Sequence, residues 1–365
     1  MNNQWGDIVK IDKIDKNFEI SADIQREDIE FFDYSDNRFQ LYGVLPPDET
    51  TEFFHRIPVS VAKKTSEGVE WLNNHTAGGR LRFKTNSKYI AIHTEIFDEN
   101  IKMPHMPFSG SMSFDLYENI DGKEKFVKAF INSEAVFDGI YDFYNDGMHE
   151  LTLNFPLYNG VKTLYIGLSK GSTIEKATPY VNEKPIIYYG SSITQGGCAS
   201  RPGTCYQGYI TRRFNTDYIN LGFSGSGKAE PVIVEYMSTL PMSMFVLDYD
   251  HNAPSPDYLN KTHSYVFNTI RNAHPKIPII MVSRPDYFNS YNVMDTKERF
   301  DIIKRTYDEA KTSGDENVYI IDGRTFFEDF PDAEGSVDGC HPTELGFYFM
   351  AKKIGDLMEK IYSKE

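Results

Sequence analysis

Near residue 185 the hydrophobic pattern of this chain switches period, and the switch calls for two kinds of architecture in one polypeptide. Before about residue 180, short alternating or aromatic-rich runs recur at 39–43, 80–84, 89–93, 112–117, 125–130, 150–154 and 163–168. Asp121-Gly122 and Asn159-Gly160 separate several of them, and both dipeptides favour hairpin turns because they tolerate positive φ. Short strands at this spacing predict an all-β sandwich or jelly roll. After residue 185, apolar strand-like runs at 186–189, 218–221, 244–247, 277–282 and 318–321 alternate with segments of helical period. That alternation predicts a parallel sheet covered on both faces. Helices are expected from Pro256-Asp257, from Asp295 with Glu298 completing a capping box, and from Pro342 as a first helical residue. The reading is therefore two domains, 1–178 and 179–365, with residues 171–184 as the linker; a chain of 365 residues also suits two cores better than one.

Charge narrows the partners. Lys and Arg number 38 against 53 Asp and Glu, a net −15, which repels phosphate backbones and anionic lipid. No nucleic acid and no membrane are expected as partners; a small-molecule substrate is, with self-association left open. The amino-terminus lacks the basic and apolar regions of a signal peptide, and no stretch reaches the roughly 20 apolar residues of a spanning helix. Three cysteines, Cys198, Cys205 and Cys340, make an odd count that suits a reducing compartment, so a cytoplasmic location is expected. Their spacing does not suggest metal ligands, and no metal or organic cofactor is expected.

The chemistry concentrates where strands are expected to end. Pro185-Ile-Ile-Tyr-Tyr-Gly-Ser-Ser192 is an apolar strand that stops in a tight turn of small hydroxyl residues. Ligands of open α/β sheets bind at the carboxyl ends of strands, so Ser192 is placed to act as a nucleophile. A serine needs a base, and the base needs an orienting carboxylate. Asp338-Gly-Cys-His341-Pro342 offers both, with Asp338 three residues ahead of His341 on one loop. Three donors follow three different strands: the N–H of Ser192, the N–H of Gly225 and the side-chain amide of Asn252. Donors so placed could hold the oxyanion of an acyl transfer. His251 and Arg284 are further candidates for substrate contact. Trp71 is read as a core residue in preference to a sugar-stacking surface.

These blocks resemble the SGNH (GDSL-like) hydrolases, in which a Ser, a Gly, an Asn and a His lie in separate blocks. Here they are Ser192, Gly225, Asn252 and His341, with Asp338 completing an Asp-x-x-His-Pro block. The front half is similar to the β-sandwich domain ahead of one branch of these enzymes, through Phe54-His-Arg-Ile-Pro58, Ala77-Gly-Gly-Arg80-Leu-Arg82 and Ser113-Phe-Asp115-Leu-Tyr117. The resemblance implies a flavodoxin-like doubly wound α/β domain behind a jelly-roll-like sandwich. It also implies a serine esterase that removes small acyl groups, acetyl foremost, from an acylated oligosaccharide. Two blocks depart from the family pattern: Gly190-Ser191-Ser192 stands for Gly-Asp-Ser, and Asp250-His251-Asn252-Ala253 for Gly-x-Asn-Asp. The alternatives are an acyltransferase using the same triad and a carbohydrate-binding protein with a decayed site.

Overall fold

The computed structural model describes residue 24 and residues 26–97, 103–131, 133–285, 295–329 and 334–364; the amino-terminal stretch read above for a leader lies outside them. Among the described residues, ten strands form the front region: β1 (Ile29–Asp33), β2 (Gln40–Tyr42), β3 (Arg80–Thr85), β4 (Tyr89–Ile96), β5 (Phe114–Ile120), β6 (Lys123–Phe130), β7 (Val136–Asp142), β8 (His149–Asn154), β9 (Val161–Ser169) and β10 (Ile174–Glu175). They pair antiparallel in two sheets, β1-β9-β4-β7 and β10-β3-β8-β5-β6, with β2 sharing with β10 the side of β3 opposite β8. One apolar core, with Leu81, Phe83, Ile90, Ile92, Leu153 and Ile166 at its centre, joins the two inner faces. Alternate residues of each strand supply it, as the two-residue period of a pleated strand requires.

Two helices interrupt this β region: α1 (Val59–Thr65) and α2 (Glu67–Asn73). Ser66 caps α2 by accepting from the Val69 N–H at 3.2 Å. A third, one-turn helix is α3 (Phe108–Ser111). The apolar residues of α1 and α2 (Ala62, Val69, Leu72) pack into the core of the following domain and not into the sandwich. Residues 171–184 carry β10 and the start of the next strand in addition to a connection.

The second region runs β11 (Asn182–Gly190), α4 (Ser192–Gln195), α5 (Tyr206–Phe214), β12 (Thr216–Gly222), α6 (Pro231–Thr239), β13 (Met244–Asp248), α7 (Pro256–Ala273), β14 (Ile279–Val282), α8 (Thr296–Thr312), β15 (Val318–Ile321) and α9 (Glu344–Tyr362). Its five strands are parallel in the order β12-β11-β13-β14-β15. Neighbouring residues of β11 feed opposite cores. Ile186 and Tyr188 pack with α5 and α9, while Ile187 and Tyr189 pack with α6, α7 and α8. A sheet buried on both faces needs such continuous apolar strands. The chain crosses from β12 to β13 over β11, so the connections diverge at the carboxyl end of β11. That is the topological switch point where ligands of such sheets bind.

One helix cap and one helix start differ from the sequence reading. The Asp295 carboxylate makes no cap, because Arg284 and Arg299 take it. Helix α9 begins two residues beyond Pro342, where Thr343 accepts from the Gly346 N–H.

The two regions meet in a polar seam. Arg80, 1 % exposed, binds Asp217 and the Tyr218 carbonyl and lies 3.9 Å over the Tyr218 ring. Arg56 binds the carbonyls of Leu72 and Gly222. Asp115, fully buried on β5, accepts from Asn154 Nδ2 at 2.8 Å and the Gly203 N–H at 3.0 Å, with Arg201 at 3.7 Å. Tyr117 closes on Gly203, where an added β-carbon would lie 2.5 Å from its ring.

Burial raises the Asp115 carboxyl to about 6, against the pull of Asn154, Gly203 and Arg201. A group whose pKa is higher folded than unfolded binds its proton more tightly in the fold. Its stabilising contribution is complete below the unfolded value of 3.8 and is lost as pH rises through about 6. Asp115→Asn does not titrate. Its stability relative to wild type, from urea unfolding at pH 4 and pH 7, is therefore expected to improve by about 2–3 kcal/mol at the higher pH. An identical difference at both pH values would place the carboxyl in the ionised form already at pH 4.

Candidate active site

The turn after β11 is held on every side. Gly190 ends the strand, and Ser191 caps α4 by accepting from the Ile193 N–H at 3.1 Å, with Thr194 closing a capping box. Gly196 ends this single turn in the left-handed region at φ 108°. The Thr194 hydroxyl reaches the Asp248 carboxyl at 3.0 Å, and Gln207 Nε2 and Asn220 Nδ2 both donate to the Thr194 carbonyl, at 2.7 and 2.8 Å. From the sandwich side, the Tyr158 hydroxyl donates to the Ser192 carbonyl at 2.9 Å. Gln195 donates to the Leu157 carbonyl at 3.1 Å and accepts from the Ser224 N–H at 3.0 Å. The two serines thereby separate. Ser191 is spent on the cap, and Ser192 is free to face outward from the first residue of the helix.

Ser192 Oγ lies 2.9 Å from His341 Nε2, across 149 residues of sequence. His341 Nδ1 lies 2.8 Å from Asp338 Oδ2. The second oxygen, Oδ1, accepts from the N–H groups of His341 and Cys340, at 2.8 and 3.0 Å, so loop and ring are held by one carboxylate. Partial burial alone would raise the Asp338 carboxyl. The amides of His341 and Cys340 and the imidazole outweigh it and hold it down at about 2. An ionised partner on Nδ1 fixes the tautomer that leaves Nε2 as the acceptor toward Ser192.

The expected donors come from the ends of β11, β12 and β13. Gly225 sits at φ 64°, with open space where a β-carbon would project. Its N–H, like that of Ser192, has no protein acceptor among the described residues. Asn252 gives one amide hydrogen to the Phe223 carbonyl at 2.8 Å, which locks it against the loop after β12 and leaves the other hydrogen free. Gly227 packs into the same corner, where a β-carbon would lie 2.5 Å from the Gly190 carbonyl oxygen. Three strand ends thus converge on one crevice.

Two residues of the front region also reach this site, Tyr158 at the Ser192 carbonyl and His105 at the His341 ring, and sequence reasoning missed both. The Tyr158 ring is buried, and the His105 ring lies 5.3 Å from that of His341, centroid to centroid. Neither stands in a block of recognisable spacing. Of the further candidates, Arg284 is engaged with Asp295 and Thr296, and burial beside Arg284 holds the His251 imidazole down at about 3. Trp71 is not a core residue: it is 42 % exposed and lies edge-on to His75. All three cysteines are free thiols. Residues 286–294, between Arg284 and α8, lie outside the described ones.

Residues 183–359 match the GDSL-like lipase/acylhydrolase family, and residues 29–174 match the amino-terminal domain of SGNH-hydrolase-type esterases. A protein described as a GDSL-like lipase from Bacteroides ovatus is 30 % identical over 92 % of this chain and 98 % of its own, with a TM-score of 0.82. The chain belongs to the GDSL-like lipase/acylhydrolase family. Two further structures share this family member's fold at lower identity. The salicylyl-acyltransferase SsfX3 of a tetracycline biosynthetic pathway is 18 % identical over 92 % of this chain and 98 % of its own, with a TM-score of 0.75. Est2A, an acetyl xylan esterase from the rumen bacterium Butyrivibrio proteoclasticus, is 11 % identical over 92 % and 99 %, with a TM-score of 0.56. No curated protein matches the chain.

Gly197 shows how closely this hydrolase's turn is fitted to His341. A β-carbon there would lie 2.9 Å from the Tyr158 hydroxyl, 3.0 Å from the Ser192 carbonyl oxygen and 3.2 Å from His341 Cδ2. Gly197→Ala must displace the ring or the turn, and an esterase assay is expected to show kcat reduced by at least about tenfold. Tyr158→Phe removes one hydrogen bond to a carbonyl that also accepts from Gly196 and Gly197, at 3.1 and 2.8 Å. It should cost about 0.5–1.5 kcal/mol of stability and less than tenfold in kcat. A larger loss in Tyr158→Phe than in Gly197→Ala would contradict this ordering.

Proposed function

We propose that the protein is a serine esterase that removes small acyl groups, acetyl foremost, from carbohydrate hydroxyls. The observation that carries the reading is the hydrogen-bonded series Ser192 Oγ, His341 Nε2, His341 Nδ1 and Asp338 Oδ2, at 2.9 and 2.8 Å. A serine hydroxyl becomes nucleophilic when a base at this distance takes its proton. Ser192 Oγ bonds to the acyl carbon while its proton passes to His341 Nε2. The imidazolium, steadied by Asp338, then protonates the departing sugar oxygen. Water attacks the acyl-serine, giving its proton to Nε2, and the carboxylic acid leaves as Ser192 recovers its hydrogen.

In both tetrahedral states the carbonyl oxygen carries negative charge. The N–H groups of Ser192 and Gly225 and the free amide hydrogen of Asn252 are the donors for it. They are held before the substrate arrives, so no reorganisation is needed as the charge forms. The acetyl and carbohydrate parts of the proposal draw support from the esterases among the fold relatives. The likeness to salicylyl-acyltransferase favours a second reading, in which an alcohol replaces water in the second half-reaction.

The test is hydrolysis of p-nitrophenyl acetate, butyrate and octanoate, with and without an alcohol acceptor, followed by acetylated xylo-oligosaccharides. The acetate should be the best of the three esters. Ser192→Ala should lose about 10⁴-fold or more in kcat. Asn252→Ala should lose about 10²–10³-fold in kcat with little change in KM. A Ser192→Ala enzyme as fast as wild type would remove Ser192 as the nucleophile. Acyl transfer to the alcohol in preference to water would replace hydrolysis with the second reading.

A further inference from the structure

The expectation of no metal ligands rested on the sequence spacing of the cysteines, and the fold changes the neighbourhood. His105, Cys198 and His341 converge from the segment before α3, the loop after α4 and the loop before α9, with one ligand atom from each lying within 4.8 Å of the others. Cys198 is held there in the left-handed region at φ 72°, unusual for a residue with a β-carbon, and is 6 % exposed. His341 offers Nε2, because Nδ1 faces Asp338 Oδ2 at 2.8 Å. A carboxylate behind a ligating imidazole is the arrangement that orients histidines on metal ions.

We propose that His105, Cys198 and His341 form a site for a thiophilic divalent cation of the zinc type, and that its occupancy switches the enzyme off. One thiolate and two imidazoles are a donor set that zinc prefers, with a water completing the tetrahedron. Bond lengths of about 2.0–2.3 Å bring tetrahedral ligands to roughly 3.3–3.8 Å of one another. The three atoms must therefore close by about an ångström, which the partly exposed His105 on the rim can supply. On binding, the Cys198 S–H bond breaks, its proton passes to solvent water and the thiolate bonds to the metal. The metal then holds the Nε2 lone pair that would receive the Ser192 proton. The inhibitory half of the proposal rests on the esterase reading; the binding half does not.

The experiment uses the full-length Ser192→Ala protein, titrated with zinc chloride in a calorimeter, beside wild-type ester hydrolysis under the same zinc concentrations. One zinc per chain is expected, with affinity reduced at least about tenfold in His105→Ala and in Cys198→Ala. His105→Gln and Cys198→Ser decide the matter where an alanine variant does not fold. Wild-type hydrolysis should fall with the same midpoint, recover with EDTA and ignore magnesium. The zinc midpoint should rise at least tenfold in both ligand variants, each normalised to its own metal-free rate. Zinc bound with unchanged affinity in both variants would overturn the proposal, as would the absence of binding, or a loss in Cys340→Ala without one in Cys198→Ala. Binding that follows His105 and Cys198 in a wild type without esterase activity would keep the site and remove the hydrolytic reading.

Discussion

The buried polar seam between the sandwich and the parallel sheet is the constraint on which the site depends. A strand end is by itself a poor platform: the chain turns sharply there, and its carbonyls lose their ladder partners. In this protein hydrogen bonds to the front region brace these strand ends. Arg56 takes the Gly222 carbonyl at the end of β12, Tyr158 takes the Ser192 carbonyl, and Gln195 reaches back to the Leu157 carbonyl. Truncating one member of such a buried group leaves another unsatisfied, which costs more than the bond itself contributes. The sandwich is thus part of the wall of the candidate site.

The three stretches that made the front region recognisable acquire a physical meaning in this seam. Each contributes a side chain to the seam. Arg56 comes from the first, Arg80 from the second, and Asp115 with Tyr117 from the third. The strands between them are interchangeable to a degree, since any alternating apolar sequence of the right volume can fill the sandwich core. A guanidinium that must meet a named carbonyl at a fixed distance has no substitute of different shape. Residues of this kind are the ones by which such a domain can be known.

The same distinction explains what was legible in the sequence. The parallel sheet was, because β11 to β15 are apolar on both faces and alternate with helical segments. The partners Ser192, Asp338 and His341 were, because Asp338 and His341 are neighbours on one loop and Ser192 marks the end of an unmistakable strand. Helices α1 and α2 were not. They lie in a region whose period is otherwise that of strands, and their apolar residues answer to a core formed mainly by chain 100 or more residues later. Asp295 carries an N-cap signature locally, yet two arginines compete for its carboxylate and win. Tyr158 and His105 act on Ser192 and His341 only through tertiary contact, and their neighbours in sequence carry no chemistry that could announce them.

The serine at position 191 brings these levels together. Where the family pattern has an aspartate, this chain keeps the local function with a different group. Ser and Asp are both strong N-caps, so the turn of α4 is satisfied either way. What changes is the charge. An aspartate would place an anion one residue from the N–H that is proposed to hold a developing oxyanion, and the cap of Ser191 is neutral. The carboxylate nearest along the sheet edge is Asp248, which is fully enclosed, with its pKa pushed well up by burial and by Asp250 and with hydroxyl donors from Thr194 and Tyr206. Burial thus biases the Asp248 carboxyl toward its neutral form, while on the histidine side the Asp338 carboxyl is held down at about 2. A site proposed to carry an anion on one wall and an imidazolium on the other is served by that division.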